Sequence, residues 1–232
     1  MLKGVIINSL EINRILLKNN PNLIEQNKIH LLYNCIDLND FCLPVSDNKY
    51  QKKTDGEIWL GNGGRLVHQK GQKYLIDLAK ILKEKEIKFK LLIAGKGYLE
   101  RALKRKAISL GLENEIIFLG FVNDMCSFLH SIDIFLLSSL HEGSSNVLLE
   151  AMACWKPVVA FKVSSINEIV EHNHTGLLTE FKDLQSFSDH VQYLIENPDI
   201  RTQMGMNGKQ RIEKKFNIAT AMQELIRIIE YN

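Results

Sequence analysis

No stretch of this 232-residue chain approaches the ~18 consecutive apolar residues that a membrane-spanning helix needs, so an integral-membrane fold is not expected. Charge of one sign is missing as well. The 29 Lys and Arg against 27 Asp and Glu leave +2, which predicts neither a strong reader of phosphate backbones nor an acidic tail. The four cysteines, Cys35, Cys42, Cys126 and Cys154, form no C-x-x-C pair, and nothing ahead of them reads as a secretory signal. The expectation is reduced thiols in a cytosolic protein, with neither a disulfide frame nor a zinc site. Internal repeats and low-complexity tracts are absent. So are G-x-G-x-x-G and G-x-x-x-x-G-K-[ST], which removes support for dinucleotide and P-loop readings. No D-x-D occurs, so a metal-bridged diphosphate of that kind gains nothing.

What is present is ordinary globular composition, 45% hydrophobic and 24% charged, enough for one large domain or one domain with an extra piece. From residue 57 onward, short apolar runs alternate with longer amphipathic stretches. EIWLG (57–61), FKLLIAG (89–95), EIIFLG (115–120), DIFLLSS (133–139) and PVVAF (157–161) read as strands. The stretches 71–86, 98–110, 124–130 and 146–154 read as helices; Leu75, Leu78, Ala79 and Leu82 share one face of the first. The strands lack period-two alternation, as in a parallel sheet covered on both faces. The pattern predicts an open, doubly wound α/β sheet, Rossmann-like in its winding. Residues 182–232 read as helical, broken at Asn197-Pro198, with a final stripe at Ile218, Met222, Leu225 and Ile229. Residues 1–45 hold an apolar GVII, a helix over 10–19 opened by Ser9, a breaker at Pro21, and KIHLLYN (28–34). They are either an edge addition to the main domain or the tail of another. Residues 46–56, polar and aperiodic, read as a linker.

The most informative segment is HEGSSNVLLEAMACWKPVVA (141–160). After Asn146 the helix is apolar on every side except at Glu150, and a carboxylate buried without partners costs several kcal/mol. A tilt that brings Glu150 to solvent is the plain explanation, at about even odds on the helix alone. Glu142, however, lies just past a strand end, where doubly wound folds place ligands. Gly143 to Asn146 offer small residues and unpaired amides at a helix N-terminus, a natural diphosphate site. Carboxylates on both sides of an anion site suit a ligand with hydroxyls at both ends of a diphosphate, which is a nucleotide-sugar.

A second segment, GNGGRLVHQKGQKYL (61–75), supplies glycines, Gly64 among them, that let the backbone approach a ligand. Arg65 and Lys70 are two cations suited to a diphosphate, each charge-assisted bond contributing ~1.5–3 kcal/mol. Taken alone, this segment is a solvated turn more often than a site. AGKGYLE (94–100) reads as a tight turn and ERALKRKA (100–107) as a solvated helix face. GFVNDM (120–125) is as readily a plain loop as a contact to a base. His172-Asn173-His174 makes a poor metal site. No nucleophile-base pair stands out.

Together GGRLVHQKG, LLIAGKGYLE, FLGFVND, DIFLLSS and EGSSNVLLEAMACWKPVVA resemble the donor-binding half of retaining GT-B glycosyltransferases, family 4 with its E-x7-E signature above all. The likeness spans roughly residues 57–180. It implies hexosyl transfer with retention from a nucleotide-diphosphate sugar, UDP- or GDP-linked, to a glycan or lipid-linked acceptor, with no cofactor and no metal. By position, it implies that Arg65 and Lys70 hold the diphosphate, Glu142 the hydroxyls of the transferred sugar, and Glu150 the ribose. The amides of Ser145, Asn146, Val147 and Leu148 would cap the phosphates, with Phe121 and Val122 against the base. Arg65, Lys70 and Glu142 would be the catalytic group.

The resemblance also divides the chain. Residues 1–45 would be the remnant of an N-terminal, acceptor-binding domain that is largely missing, 46–215 the donor domain, and 216–232 a crossover helix. A chain of this extent is expected to bind the donor but transfer poorly without a separate chain or second copy supplying the other half. A cytoplasmic location, peripheral to a membrane, is implied. Four positions where the family favours glycine differ: Cys35, Trp155, Ser164-Ser165 and Asn173. They keep open a non-catalytic nucleotide-sugar-binding module or decayed remnant, with a GT-B sugar-nucleotide epimerase as the third alternative.

Overall fold

The computed structural model describes residues 5–19, 29–41 and 56–230. Pro21, Cys42 and the linker expected over 46–56, apart from Gly56, lie outside the described residues.

The chain opens with a small β-α-β unit: β1 (Val5–Ile7), α1 (Leu10–Asn19) and β2 (Ile29–Leu31). β1 and β2 pair parallel in a two-stranded sheet of their own, Val5 opposite Ile29. This excludes an edge addition to the main sheet. Ser9 opens α1 as expected, its hydroxyl accepting from the Ile12 amide at 3.2 Å. The unit is tied to the main body chiefly by Glu168, whose carboxylate accepts from the Leu10 amide at 2.8 Å, the Glu11 amide at 3.3 Å and the Tyr33 hydroxyl at 3.1 Å. A carboxylate at a helix start satisfies orphan donors and complements the helix dipole. Its outer face is bare, with Ile6, Leu10 and Ile15 exposed.

The main body follows as β3 (Ile58–Gly63), α2 (Gln72–Glu84), β4 (Phe89–Ala94), α3 (Glu100–Ser109), β5 (Ile116–Gly120), α4 (Met125–Ser131) and β6 (Ile134–Leu137). It continues through α5 (Asn146–Ala153), β7 (Val158–Phe161), α6 (Ile166–Ile169), β8 (Gly176–Thr179), α7 (Leu184–Glu196), α8 (Pro198–Lys215) and α9 (Ile218–Glu230). The sheet is parallel throughout, in the order β5-β4-β3-β6-β7-β8. The winding reverses between β3 and β6. Crevices at the carboxyl ends of such a pair are where open α/β sheets take ligands.

Both faces of the sheet are buried, which accounts for the unbroken apolar runs. In β4, Leu91 and Ile93 enter one core with α2, α3 and α7, while Leu92 and Ala94 enter the other with α4 and α5. In β6, Ile134 and Leu136 divide from Phe135 and Leu137 in the same way. The five strands and four helices read from the pattern are all present. β8 and α6 were not anticipated: GLLT and INEI each carry only two large apolar residues, too few to mark an element.

Three of the four substituted glycine positions include a residue in the left-handed region, Trp155 at φ 56°, Ser164 at 45° and Asn173 at 63°, and Cys35 does not. Trp155 is held there from outside, its ring 4.1 Å under the Lys209 ammonium and 5.8 Å from the His130 ring.

α8 begins with Pro198 in its first turn, a position with no hydrogen bond to lose, and gives way to α9 at Asn217. Asn217 opens α9 by accepting from the Thr220 amide at 2.8 Å. The Ile218 amide donates to the Ile36 carbonyl, tying α9 to the strand-like segment after β2. α9 buries none of its residues: Ile218, Met222, Ile226 and Ile229 are exposed and Leu225 is half-buried, so the expected stripe has no partner among the described residues. No described helix is long and apolar enough to cross a membrane.

Candidate functional site

A cavity of about 310 Å³ opens beside the carboxyl ends of β3 and β4. Gly64 and Arg65 form one side, directly after β3, and Phe121 and Val122 another, directly after β5. Val147 and Glu150 close it from α5. These six expected residues come from three segments far apart in sequence. Val147 and Glu150, three apart on one helix, share the open face, while Leu148, Leu149, Ala151, Met152 and Ala153 are buried behind them. The half-buried Glu150 therefore faces the cavity, and the plain tilt toward bulk solvent does not describe it.

Burial pushes the Glu150 carboxyl above its usual range, and no opposing charge restores it. The cavity wall thus carries a desolvated acceptor. Arg65 is exposed and has no ion pair among the described residues. Phe121 is 68% exposed, a large ring set over the opening.

The floor is main chain. Gly64 and Gly95 both have positive φ, 148° and 146°, and a Cβ on Gly95 would collide with the Gly64 carbonyl. The Gly64 amide donates to the Ala94 carbonyl at 2.9 Å, and the Gly95 amide to the Gly120 carbonyl at 2.7 Å. The loops after β3, β4 and β5 are thereby laid against each other backbone to backbone.

Lys70 and Glu142 do not line this cavity but stand against each other, with the Lys70 side chain beside Gly64. The Lys70 ammonium is 2.6 Å from Glu142 Oε1, and the Ser139 hydroxyl donates to the same oxygen at 2.6 Å. Glu142 is buried at 7% exposure, with its carbonyl accepting from Ser165 at 3.2 Å. Lys70 ends a 3-10 turn (His68–Lys70), and Gly71 follows at φ 63°. The loop after β3 is stitched to the loop after β6: Gln69 Nε2 donates to the His141 carbonyl at 3.1 Å and Leu140 donates to the Gln69 carbonyl at 2.8 Å.

Ser145 precedes α5 without a side-chain cap, its hydroxyl buried and unpartnered. The amides of Ser145, Asn146 and Val147 have no backbone partner among the described residues, whereas Leu148 donates to the Ser145 carbonyl at 3.1 Å. Three of the four amides expected at this helix start are thus without a backbone partner among the described residues. Asn146 is engaged on its other side, its Oδ1 accepting from Asn34 at 2.7 Å, which brings the N-terminal unit to the rim.

Sequence reading passed over Lys96, Gly95, Ala94 and Met125, all of which line the cavity. AGKGYLE had been taken for a tight turn. The signal was its place directly after the strand next to the winding reversal, which the strand order reveals and the local sequence does not.

Comparison with known proteins places these features in context. The profile described as "Glycosyl transferases group 1" matches residues 46–211. The capsular polysaccharide biosynthesis glycosyltransferase CapM of Staphylococcus aureus is 29% identical over 211 residues, covering 88% of this chain and 56% of CapM. The Bacillus subtilis protein named as glycosyltransferase EpsD is 30% identical over 188 residues, covering 80% of this chain and 49% of EpsD. The chain thus spans about half the length of these relatives. A crystal structure of HepE from Anabaena in complex with UDP-glucose superposes with a TM-score of 0.84 at 25% identity, over 99% of this chain and 64% of HepE. The C-terminal domain of LpcC, a group 1 glycosyl transferase from Francisella tularensis, superposes with a TM-score of 0.69 at 27% identity, over 79% of this chain and 99% of that one.

Proposed function

This chain belongs to the group 1 glycosyltransferase family, and from that premise we propose that it is the donor-binding half of a retaining, family 4 enzyme. Such an enzyme moves a hexose from a nucleoside-diphosphate sugar to a glycan or lipid-linked acceptor. The observation that carries the reading is the convergence of Gly64, Arg65, Phe121, Val122, Val147 and Glu150 on one cavity at the winding reversal of the sheet.

Each group then has a task. The Phe121 ring and Val122 offer an apolar wall to the base. Glu150, desolvated and without a cation, accepts the ribose hydroxyls, which supply the hydrogen bonds it lacks. Arg65 and the unpaired amides at the start of α5 receive the diphosphate. Lys70 and Glu142 stand farther along the same line. Lys70 and Ser139 both hold Oε1 of Glu142, which leaves Oε2 for a hydroxyl of the transferred sugar. When the bond from the anomeric carbon to the diphosphate breaks, its electron pair stays on the diphosphate. The positive charge of Arg65 and Lys70 then stabilises the leaving group.

In this reading residues 1–45 belong to the acceptor-binding side, 46–215 bind the donor, and 216–232 cross back between the two. Transfer requires both sides to enclose the reacting groups, so this chain alone binds the donor and transfers poorly. The exposed Ile218, Met222 and Ile229 suit a covering surface from the other half or from a second copy.

The test is calorimetric titration with UDP, GDP, ADP and their glucose conjugates, using Arg65→Ala and Glu150→Ala as controls. Saturable binding to one base, lost in both variants, supports the proposal. No saturable binding to any of the six would overturn it.

A further inference from the structure

Cys126, His130 and Cys154 take no part in the donor-site reading, and the fold brings them together. Their candidate ligand atoms, two sulfurs and one ring nitrogen, all lie within 4.8 Å of one another. We propose that these three side chains form a binding site for a thiophilic divalent metal ion, zinc being the cation that suits two sulfurs and an imidazole.

Spacing along the chain had argued against a zinc site, because 28 positions separate the cysteines. The topology cancels that distance. Cys126 and His130 are one turn apart on α4, and Cys154 caps α5, which packs beside α4. Tetrahedral zinc, with bonds of about 2.3 Å to sulfur and about 2.0 Å to nitrogen, keeps its donors about 3.5–3.8 Å apart. Closing each pair by at most about 1.3 Å reaches that arrangement.

Three further observations fit the same group. The His130 ring hydrogen-bonds the Phe41 backbone, while its Nε2 is buried with no hydrogen-bond partner among the described residues. A ligating histidine characteristically donates its other nitrogen to a carbonyl in this way, which fixes the tautomer and aims the lone pair. Both cysteines are reduced, as metal-binding thiols must be. Cys126 and His130 are half-buried, which leaves a route for entry.

The position gives the site a consequence. Cys126 adjoins Met125, and Cys154 lies one turn beyond Glu150; Met125 and Glu150 are both in the cavity wall. A metal here clamps α4 to α5 and fixes two walls of the donor pocket from behind.

The experiment adds Co2+ alone to the reduced, metal-free chain and follows its absorption, then displaces it with Zn2+. The expected result is one ion per chain, a thiolate-to-cobalt charge-transfer band with the visible bands of a tetrahedral ion, and loss of both on adding zinc. Cys126→Ser should weaken binding by at least about tenfold, and His130→Gln likewise. Cys35→Ser, outside the cluster, should leave it unchanged. Cys126 is half-buried, so Cys126→Ser is the variant best placed to fold, and circular dichroism checks that it does. Absence of the bands, their persistence in Cys126→Ser, or a Cys126–Cys154 disulfide in the chain isolated without reductant would each overturn the proposal. None of these readouts uses a nucleotide, so the outcome is independent of the donor-site reading.

Discussion

The ammonium of Lys70 sits 2.6 Å from a carboxylate oxygen of Glu142, and both side chains are largely withdrawn from solvent, 16% and 5% exposed. One comes from the turn after β3 and the other from the loop after β6, so the pair bridges the point where the winding of the sheet reverses. Removing one partner of a buried pair costs more than the pair itself contributes, because the other charge stays behind. Lys70→Ala should therefore destabilise the chain by about 3 kcal/mol, the low end for such pairs, since Ser139 still bonds Glu142. Glu142→Gln, which leaves no buried anion, should cost less. Urea unfolding at neutral pH separates the two.

Glu150 gives a pH-dependent prediction. Because burial raises its carboxyl pKa in the folded chain, folding takes up a proton where the unfolded chain has already lost one. The resulting stability is fully present below the unfolded value of about 4.3 and is lost as pH rises through the folded value. Glu150→Gln should remove that loss. Its melting temperature should match the native chain near pH 4 and exceed it at pH 7. The same variant should bind a nucleotide at least about tenfold more weakly, since a charge-assisted bond contributes about 1.5–3 kcal/mol.

Asn173 is exposed in the left-handed region at φ 63°, so its replacement tests the backbone with little interference from packing. Asn173→Ala should lose about 1 kcal/mol and Asn173→Gly should stay within about 0.5 kcal/mol of the native chain. Thermal denaturation of the two variants, run side by side, reads the difference.

Tyr33 reports on the joint between the N-terminal unit and the main body. Burial, reinforced by the neighbouring Glu168 carboxylate, pushes its hydroxyl to about 12. A raised phenol keeps its proton in the folded chain, so its contribution to stability is present below about pH 10 and is lost as pH rises through 12. In Glu168→Gln the value should fall toward 10 without reaching it, because burial, the larger cause, remains. Ultraviolet titration of tyrosinate against the native chain checks this.

The sheet was legible because every central strand is buried on both faces, so that runs such as FKLLIAG have no polar alternation to confuse them. The E-x7-E pair was legible because a carboxylate interrupts an otherwise apolar helix. Its two members nevertheless differ in situation: Glu150 faces the cavity, while Glu142 is already bound by Lys70 and Ser139. Nothing local distinguishes them, since the difference lies in the loop that crosses from the other side of the reversal. β8 was hidden because GLLT carries only two large apolar residues, and Lys96 by a glycine turn whose neighbours in space are set by strand order. Cys126 and Cys154 were hidden more deeply, because the contact between α4 and α5 has no counterpart in their spacing along the chain.

The backbone floor formed by the loops after β3, β4 and β5 bears on how this pocket can change over generations. A main-chain surface has no side chain to exchange, and at Gly95 the first added carbon already meets the Gly64 carbonyl. Heritable variation in what the pocket accepts is thereby channelled to its walls, to Phe121, Val122, Lys96 and Met125, while the floor passes down as a fixed mould. In the proposed donor site, a new preference for base or sugar can arise there by single substitutions, with the backbone floor left intact.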